Sequence, residues 1–181
     1  MNIIPTAIPE VVLLEPCVFG DARGYFYERF SQQRFDELVA PTQFVQDNES
    51  KSSRGVLRGL HFQKGAMAQA KLVSVVKGEV LDVAVDLRAD SPTFGQHVAQ
   101  LLTEENKRQM FVPRGFAHGF VVLSETAIFQ YKCDNYYSPA DEGSLYFNDP
   151  ALGIDWRLPA DQLLLSDKDK IAPMLKDAYR F

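Results

Sequence analysis

The residues able to do proton or metal chemistry are few. The chain of 181 residues holds three histidines, His61, His97 and His118, and two cysteines, Cys17 and Cys133. Imidazoles suit general acid–base work near neutral pH, or the holding of a divalent transition metal. No C-x₂₋₄-C pair exists, which excludes a structural zinc site of the Cys₄ or Cys₂His₂ type. Polar side chains crowd around His61, with Arg54, Arg58, Gln63 and Lys71 close by among apolar positions. A strand buried on one face seldom carries that much polar chemistry for structure alone. His97 lacks such surroundings and reads as structural. Lys and Arg number 19 against 24 Asp and Glu, a net charge of −5. That balance argues against general binding to nucleic acid or anionic membrane, since both reward positive charge. It leaves room for a small anionic ligand held by a few placed cations.

Strands must position these groups, because the apolar period is mostly two. Leu81, Val83, Val85 and Leu87 alternate with Asp82, Ala84 and Asp86. Lys71–Val76 and Glu79–Leu87 flank Lys77-Gly78, which predicts a hairpin. Further strands are predicted at Val11–Leu14, Thr42–Asp47, Gly55–Gln63, Gly95–Leu102, Gln109–Val112, Ala117–Leu123 and Ala127–Cys133. Ser31 predicts the N-cap of a helix over Gln32–Val39, with Phe35, Leu38 and Val39 on one face. A second short helix is predicted near the C-terminus, after Ser166–Asp169. The chain reads as one domain over 1–181, mainly β, a sandwich or barrel with a few peripheral helices. Arg88, Asp82 and Asp86 read as a structural charge network. Strict alternation puts His61 and Gln63 on one face of their strand and Arg58 on the other. Arg58 and His61 share a cavity only if the strand bulges, and Gly59 is where it could. There is no signal-peptide pattern and no apolar run of the roughly 20 residues that span a bilayer. A cytoplasmic protein with reduced thiols is expected.

Two segments resemble the paired motifs of the cupin superfamily. Gly55-Val-Leu-Arg-Gly-Leu-His61 resembles the G-x₅-H opening of the first motif, and Pro113-Arg-Gly-Phe-Ala-His118 the P-x-G-x-x-H of the second. In metal-binding cupins the first motif continues to a second His and then a Glu. Here Gln63 stands at the second His, and Met67 and Ala68 occupy the Glu window. An amide is a poor ligand for a transition metal compared with imidazole. The resemblance implies a cupin-type jelly-roll (double-stranded β-helix) barrel with no metal.

A narrower resemblance covers essentially the whole chain. It is carried by Arg23-Gly-Tyr-Phe-Tyr-Glu28, Phe44-Val-Gln-Asp-Asn48, Gly55 to Gln63, Gln69-Ala-Lys71, Gly78 to Arg88, Ser91-Pro-Thr-Phe-Gly95, Pro113 to Phe120, and Asn148-Asp-Pro150 with Ile154-Asp-Trp156. Together these resemble the dTDP-4-dehydrorhamnose 3,5-epimerases. The resemblance implies inversion of C3 and C5 in dTDP-4-dehydro-6-deoxy-D-glucose, giving dTDP-4-dehydro-L-rhamnose, with no metal and no other cofactor. By resemblance, His61 is the general base, Asp169 its carboxylate partner, Lys71 the cation at O4 and Tyr131 the opposite-face acid. Arg23, Phe26, Glu28, Gln46, Asp47, Asn48, Arg58, His118, Glu142 and Lys168 fall at substrate-binding positions. Tyr137 falls where an aromatic stacks on thymine. Taken without the resemblance, Tyr131 reads as core, and Arg23, Glu28, Glu142 and Lys168 as solvated surface.

Family members are dimers, so a homodimer is implied, and Val11–Leu14 is compatible with an exchanged edge strand. Three other readings stay open at this point. They are a mono-epimerase acting at C3 or C5 alone, a sugar-nucleotide-binding cupin without turnover, and a metal-dependent cupin oxygenase.

Overall fold

The computed structural model describes all 181 residues. In chain order the strands are β1 (Asn2–Pro5), β2 (Val12–Glu15), β3 (Phe19–Asp21), β4 (Gly24–Phe26), β5 (Gln46–Ser53), β6 (Leu57–Gln63), β7 (Lys71–Lys77), β8 (Glu79–Asp86), β9 (His97–Thr103), β10 (Gln109–Val112), β11 (Phe116–Val122), β12 (Thr126–Cys133) and β13 (Glu142–Ser144). The helices are α1 (Gln32–Leu38) and α2 (Asp167–Lys170). One sheet has the order β1-β2-β10-β7-β12-β5, the other β13-β6-β11-β8-β9, and β3 and β4 form a separate hairpin. No helix is long and apolar enough to cross a membrane.

The two sheets pack over a shared core. Val73, Val75, Met110 and Phe129 from the first meet Val80, Ala84, Val98 and Phe120 from the second. The architecture is mainly β and of jelly-roll type. The sheets remain separate hydrogen-bonded ladders, so strand pairing does not close the expected barrel.

Each sheet also has a covered outer face. Leu81, Val83 and Val85 point outward on β8 and are buried by Leu145, Phe147, Leu152 and Trp156 of the C-terminal segment. The alternation read from the sequence is therefore correct, but its polar side, with Asp82, faces between the sheets. On the first sheet, Leu14, Leu72 and Phe111 pack against Phe35 of α1. Ser31 caps that helix, its hydroxyl accepting from the Arg34 amide. Full burial of Phe35 stabilises the layer by about 1.5–3 kcal/mol. Leu38, expected on the same buried face, is exposed, because the helix ends there.

Three other expectations shift. The strand predicted at Thr42–Asp47 is β5, Gln46–Ser53, a polar segment without apolar alternation. It lies at the sheet edge and is held by pairing to β12 from Gln46↔Cys133 to Ser53↔Thr126. β2 is not an edge strand, since it pairs with β1 and with β10, and β1 takes the edge. The C-terminal helix α2, Asp167–Lys170 with Ser166 as its N-cap, takes in the Ser166–Asp169 segment it was expected to follow.

Candidate active site

β6 and β11 run antiparallel, with His61 directly opposite His118. The register then slips, so that Phe120 faces Arg58. Gly59 and Leu60 on β6 stand against Gly119 alone on β11, which is a β-bulge. Gly59 has φ of 134°, and a Cβ there would lie 2.6 Å from Gly119 Cα and 2.9 Å from the His118 carbonyl oxygen. The bulge expected at Gly59 is present. It lets Arg58 and His61 line one cavity of about 380 Å³, together with Lys71, His118, Tyr131, Lys168 and Asp169.

His61 comes from the second sheet, whereas Lys71 on β7 and Tyr131 on β12 come from the first. His61 Nε2 lies 2.5 Å from Asp169 Oδ1. Asp169 is held by α2, where Ser166 is the N-cap. The Ser166 hydroxyl accepts from the Asp169 amide at 3.2 Å and donates to Asp169 Oδ2 at 2.8 Å. Burial by itself raises the Asp169 carboxyl pKa. Hydrogen bonds from His61 and Ser166, with the charge of His61, outweigh it and hold the carboxyl below its ordinary range.

His118 has a partner of its own. Its Nε2 lies 2.9 and 3.1 Å from the two carboxylate oxygens of Asp82, which is wholly buried. Burial pushes the Asp82 carboxyl up, and His118 draws it partly back. This corrects the expected charge network. Asp86 and Arg88 do pair, at 2.8 Å, but Asp82 is bonded to His118 behind the cavity wall.

Burial pushes the Lys71 ammonium pKa down, and the nearby Cys133, Asp82 and Glu142 offset this only in part. Its Nζ lies 5.9 Å from the centroid of the Tyr131 ring. Burial also raises the Tyr131 phenol. Behind Tyr131, Phe129 stacks on Phe120 at 4.1 Å between centroids and gives the cavity a dry wall.

His61, Lys71 and Tyr131 also border a second cavity of about 350 Å³, lined by Gln46, Asn48, Gln63, Tyr137 and Glu142. Lys168 pairs with Glu142 across the rim, and the Tyr137 hydroxyl donates to Glu142 Oε2 at 3.1 Å. Arg58 Nε donates to Ser52 Oγ at 3.1 Å.

Four of the expected substrate-binding residues are not brought to His61 within one chain. Asp47 alternates away from Gln46 and Asn48 on β5 and pairs with Lys132 at 2.7 Å. Arg23 sits on the β3–β4 hairpin, paired with Asp21 and almost fully exposed. Phe26, on the same hairpin, is 70 % exposed, and Glu28 pairs with Arg34. Sequence reasoning missed the clasp of Ser166 on Asp169 and misplaced Asp82. The Ser-Asp-Lys-Asp segment carried a capping signal for the first. Nothing local in β8 distinguished Asp82 from Asp86. No three His, Cys, Asp or Glu side chains converge as a group able to hold a metal ion.

Strands β6 and β11, carrying the two motif histidines on a jelly-roll framework, place the chain among cupin-fold proteins whose cavity is furnished for acid–base work. The comparisons narrow that class. The sequence profile for dTDP-4-dehydrorhamnose 3,5-epimerase matches residues 5–177. The Salmonella typhimurium dTDP-4-dehydrorhamnose 3,5-epimerase is 59% identical over 180 residues, covering 98% of this chain and 97% of that one. The crystal structure of the Elizabethkingia anophelis enzyme superposes with a TM-score of 0.94 at 57% identity, covering 98% of this chain and 97% of that chain. The Legionella pneumophila dTDP-6-deoxy-D-glucose-3,5-epimerase, in complex with dTDP-4-keto-L-rhamnose, gives 0.95 at 52% identity, covering 99% and 98%. The chain belongs to the dTDP-4-dehydrorhamnose 3,5-epimerase family.

Proposed function

We propose that the chain epimerises C3 and C5 of dTDP-4-dehydro-6-deoxy-D-glucose to give dTDP-4-dehydro-L-rhamnose, using side chains alone. The observation that carries this is the opposition of His61 on one sheet, paired with Asp169 of α2, to Lys71 and Tyr131 on the other sheet. A C4 keto group acidifies the protons on C3 and C5, because the carbanion delocalises onto O4 as an enolate. His61 takes the proton, and Asp169 fixes its ring and stabilises the imidazolium that forms. The electron pair moves to O4, where the Lys71 ammonium donates to the developing charge, a role worth roughly 3–4 kcal/mol. Tyr131 then gives its phenolic proton to carbon from the opposite face. Solvent returns a proton to the phenolate and takes one from His61. The sequence repeats at the second carbon.

The neighbouring cavity suits the nucleotide. In the His61 cavity beside it, Arg58 and Lys168 are the cations for the diphosphate, since a guanidinium fork donates two bonds at once, and His118 lines the wall next to them. Tyr137 stacks on thymine, an interaction worth about 1–3 kcal/mol. Gln46, Asn48 and Glu142 supply polar contacts. Arg23, Phe26 and Glu28 join the site from a second copy of the chain. Their hairpin, with Phe19, Tyr25 and Phe26 all more than half exposed, supports a homodimer. Sedimentation should then return twice the chain mass.

Incubating the protein with the 4-keto sugar nucleotide in D₂O tests the assignment. Deuterium should enter at both C3 and C5, with inversion at each. Exchange at one carbon alone would select a mono-epimerase, and binding with no exchange would select a module without turnover.

A further inference from the structure

We infer that Gln63 is a positioning residue that sets Tyr137 and Glu142 against the nucleotide, an inference that rests on the substrate reading above. Gln63 is the last residue of β6, two places beyond His61, and only 3% of it is exposed. Such a buried amide must find partners, because an unmade hydrogen bond there costs its full desolvation. Its Oε1 accepts from the Ser138 backbone amide at 2.8 Å. That amide is the peptide nitrogen following Tyr137, so the bond fixes the backbone that carries the ring.

The same strand end grips the far side of the turn. Glu142 on β13 stands opposite Gln63 in the sheet register. The Lys64 amide donates to the Asp141 carbonyl at 2.8 Å. Inside the turn, the Ser138 hydroxyl donates to Asp141 Oδ2 at 2.6 Å, which keeps it closed. A second tie comes from β5, where Gln46 Oε1 accepts from the Tyr137 amide at 3.3 Å. Tyr137 itself is about half exposed, and its only side-chain hydrogen bond is to Glu142. Ring packing therefore does not hold it, and the backbone ties do. Gln63 acts on where the base is received, two residues along one strand from the imidazole that moves protons.

The test is a set of variants at Gln63 assayed for KM and kcat on the sugar nucleotide, with dTDP affinity measured by calorimetry. Wild-type turnover in the same assay checks the substrate reading separately. Gln63→Met keeps the side-chain length and removes the amide. It should raise KM and the dTDP Kd about five- to tenfold, with kcat within about twofold of wild type. Gln63→Glu keeps an acceptor oxygen toward Ser138 and should hold KM within about threefold of wild type. On a Tyr137→Ala background, Gln63→Met should add no more than about a twofold change, since it acts through that residue. An unchanged KM in Gln63→Met, a loss confined to kcat, a Gln63→Glu enzyme as weak as Gln63→Met, or full additivity with Tyr137→Ala would each overturn the inference.

Discussion

His61 Nε2 and Asp169 Oδ1 lie 2.5 Å apart, although one residue lies within strand β6 and the other belongs to a one-turn helix 108 positions later. The short contact is built by two local devices. The bulge at Gly59 turns His61 toward the cavity, and Ser166 caps α2 and clasps the carboxylate. Asp169→Asn should keep the fold and lower kcat by roughly 10²–10⁴-fold, because the amide neither fixes the productive tautomer nor stabilises an imidazolium. KM should change little. A variant with wild-type exchange rates at C3 and C5 would remove Asp169 from the mechanism.

Tyr131→Phe should separate two events that the wild-type enzyme couples. Proton abstraction by His61 needs no phenol, so deuterium wash-in at carbon should persist. Delivery from the opposite face does need it, so inversion should fall by roughly 10²-fold or more. Proton NMR in D₂O reads both rates on one sample. Full turnover in the variant would assign the acid to another group.

Much of this was legible in the chain before its fold was known. The period-two runs gave β6 to β12 nearly to the residue, because those strands bury one or both faces. β5 was misplaced, because an edge strand made of Gln, Asp, Asn, Glu, Ser and Lys has no apolar rhythm, and only its ladder with β12 defines it. The polar crowd around His61, with Lys71 in it, marked the proposed site, whereas the roles given to Tyr131 and Asp169 came by resemblance alone. On its own pattern Tyr131 looks like core, and it does pack beside Phe129. The partner of Asp82 was not legible, because His118 is 36 positions away, three strands later, and pairing across β8 and β11 decides it. Gln63 was legible as one of the polar groups near His61 and as a missing ligand, but the turn it ties at Ser138 has no signature in β6.

Gly59→Ala should damage both stability and activity. A methyl group at this position meets backbone atoms of Gly119 and His118 at 2.6 and 2.9 Å, and φ is positive. Neither neighbour is a flexible side-chain tip, so the strands must part. The expected cost is about 1–3 kcal/mol, with the bulge that aims Arg58 and His61 disturbed as well. Urea unfolding reads the first effect and kcat/KM the second. An unchanged midpoint would show that the bulge tolerates a side chain.

Lys71→Met should lower kcat by roughly 10²–10³-fold while sparing dTDP affinity, since the ammonium is placed for charge that develops only at O4. In the wild type, burial depresses the Lys71 pKa, so the charged form is lost below the ordinary lysine range. Activity should therefore decline on the alkaline side earlier than a solvated lysine allows, and Lys71→Arg should move that limb upward. A limb that stays in place in Lys71→Arg would assign it to another group.

Acid should weaken the fold through Asp86. Its carboxylate has no exposure and accepts from Arg88 Nε at 2.9 Å and Nη2 at 2.8 Å, from the Arg88 amide at 2.9 Å, and from Ser91 and Thr93 hydroxyls at 2.6 Å each. Burial by itself raises its pKa. The five hydrogen bonds outweigh burial and lower it from 3.8 to about 2. A depressed carboxyl stabilises the native state above its unfolded pKa, and that stabilisation is lost as pH falls from about 4 through the folded value. The shift corresponds to about 2 kcal/mol at neutral pH. Asp86→Asn should therefore lower Tm by roughly 4–8 °C at pH 7 for a chain of this size. The gap between wild type and variant should close as pH approaches 2, because the wild-type group then protonates as well. Urea unfolding of both proteins across that range measures it. A gap that stays constant down to pH 2 would mean that Asp86 stabilises the turn by shape and hydrogen-bond count, independently of its charge.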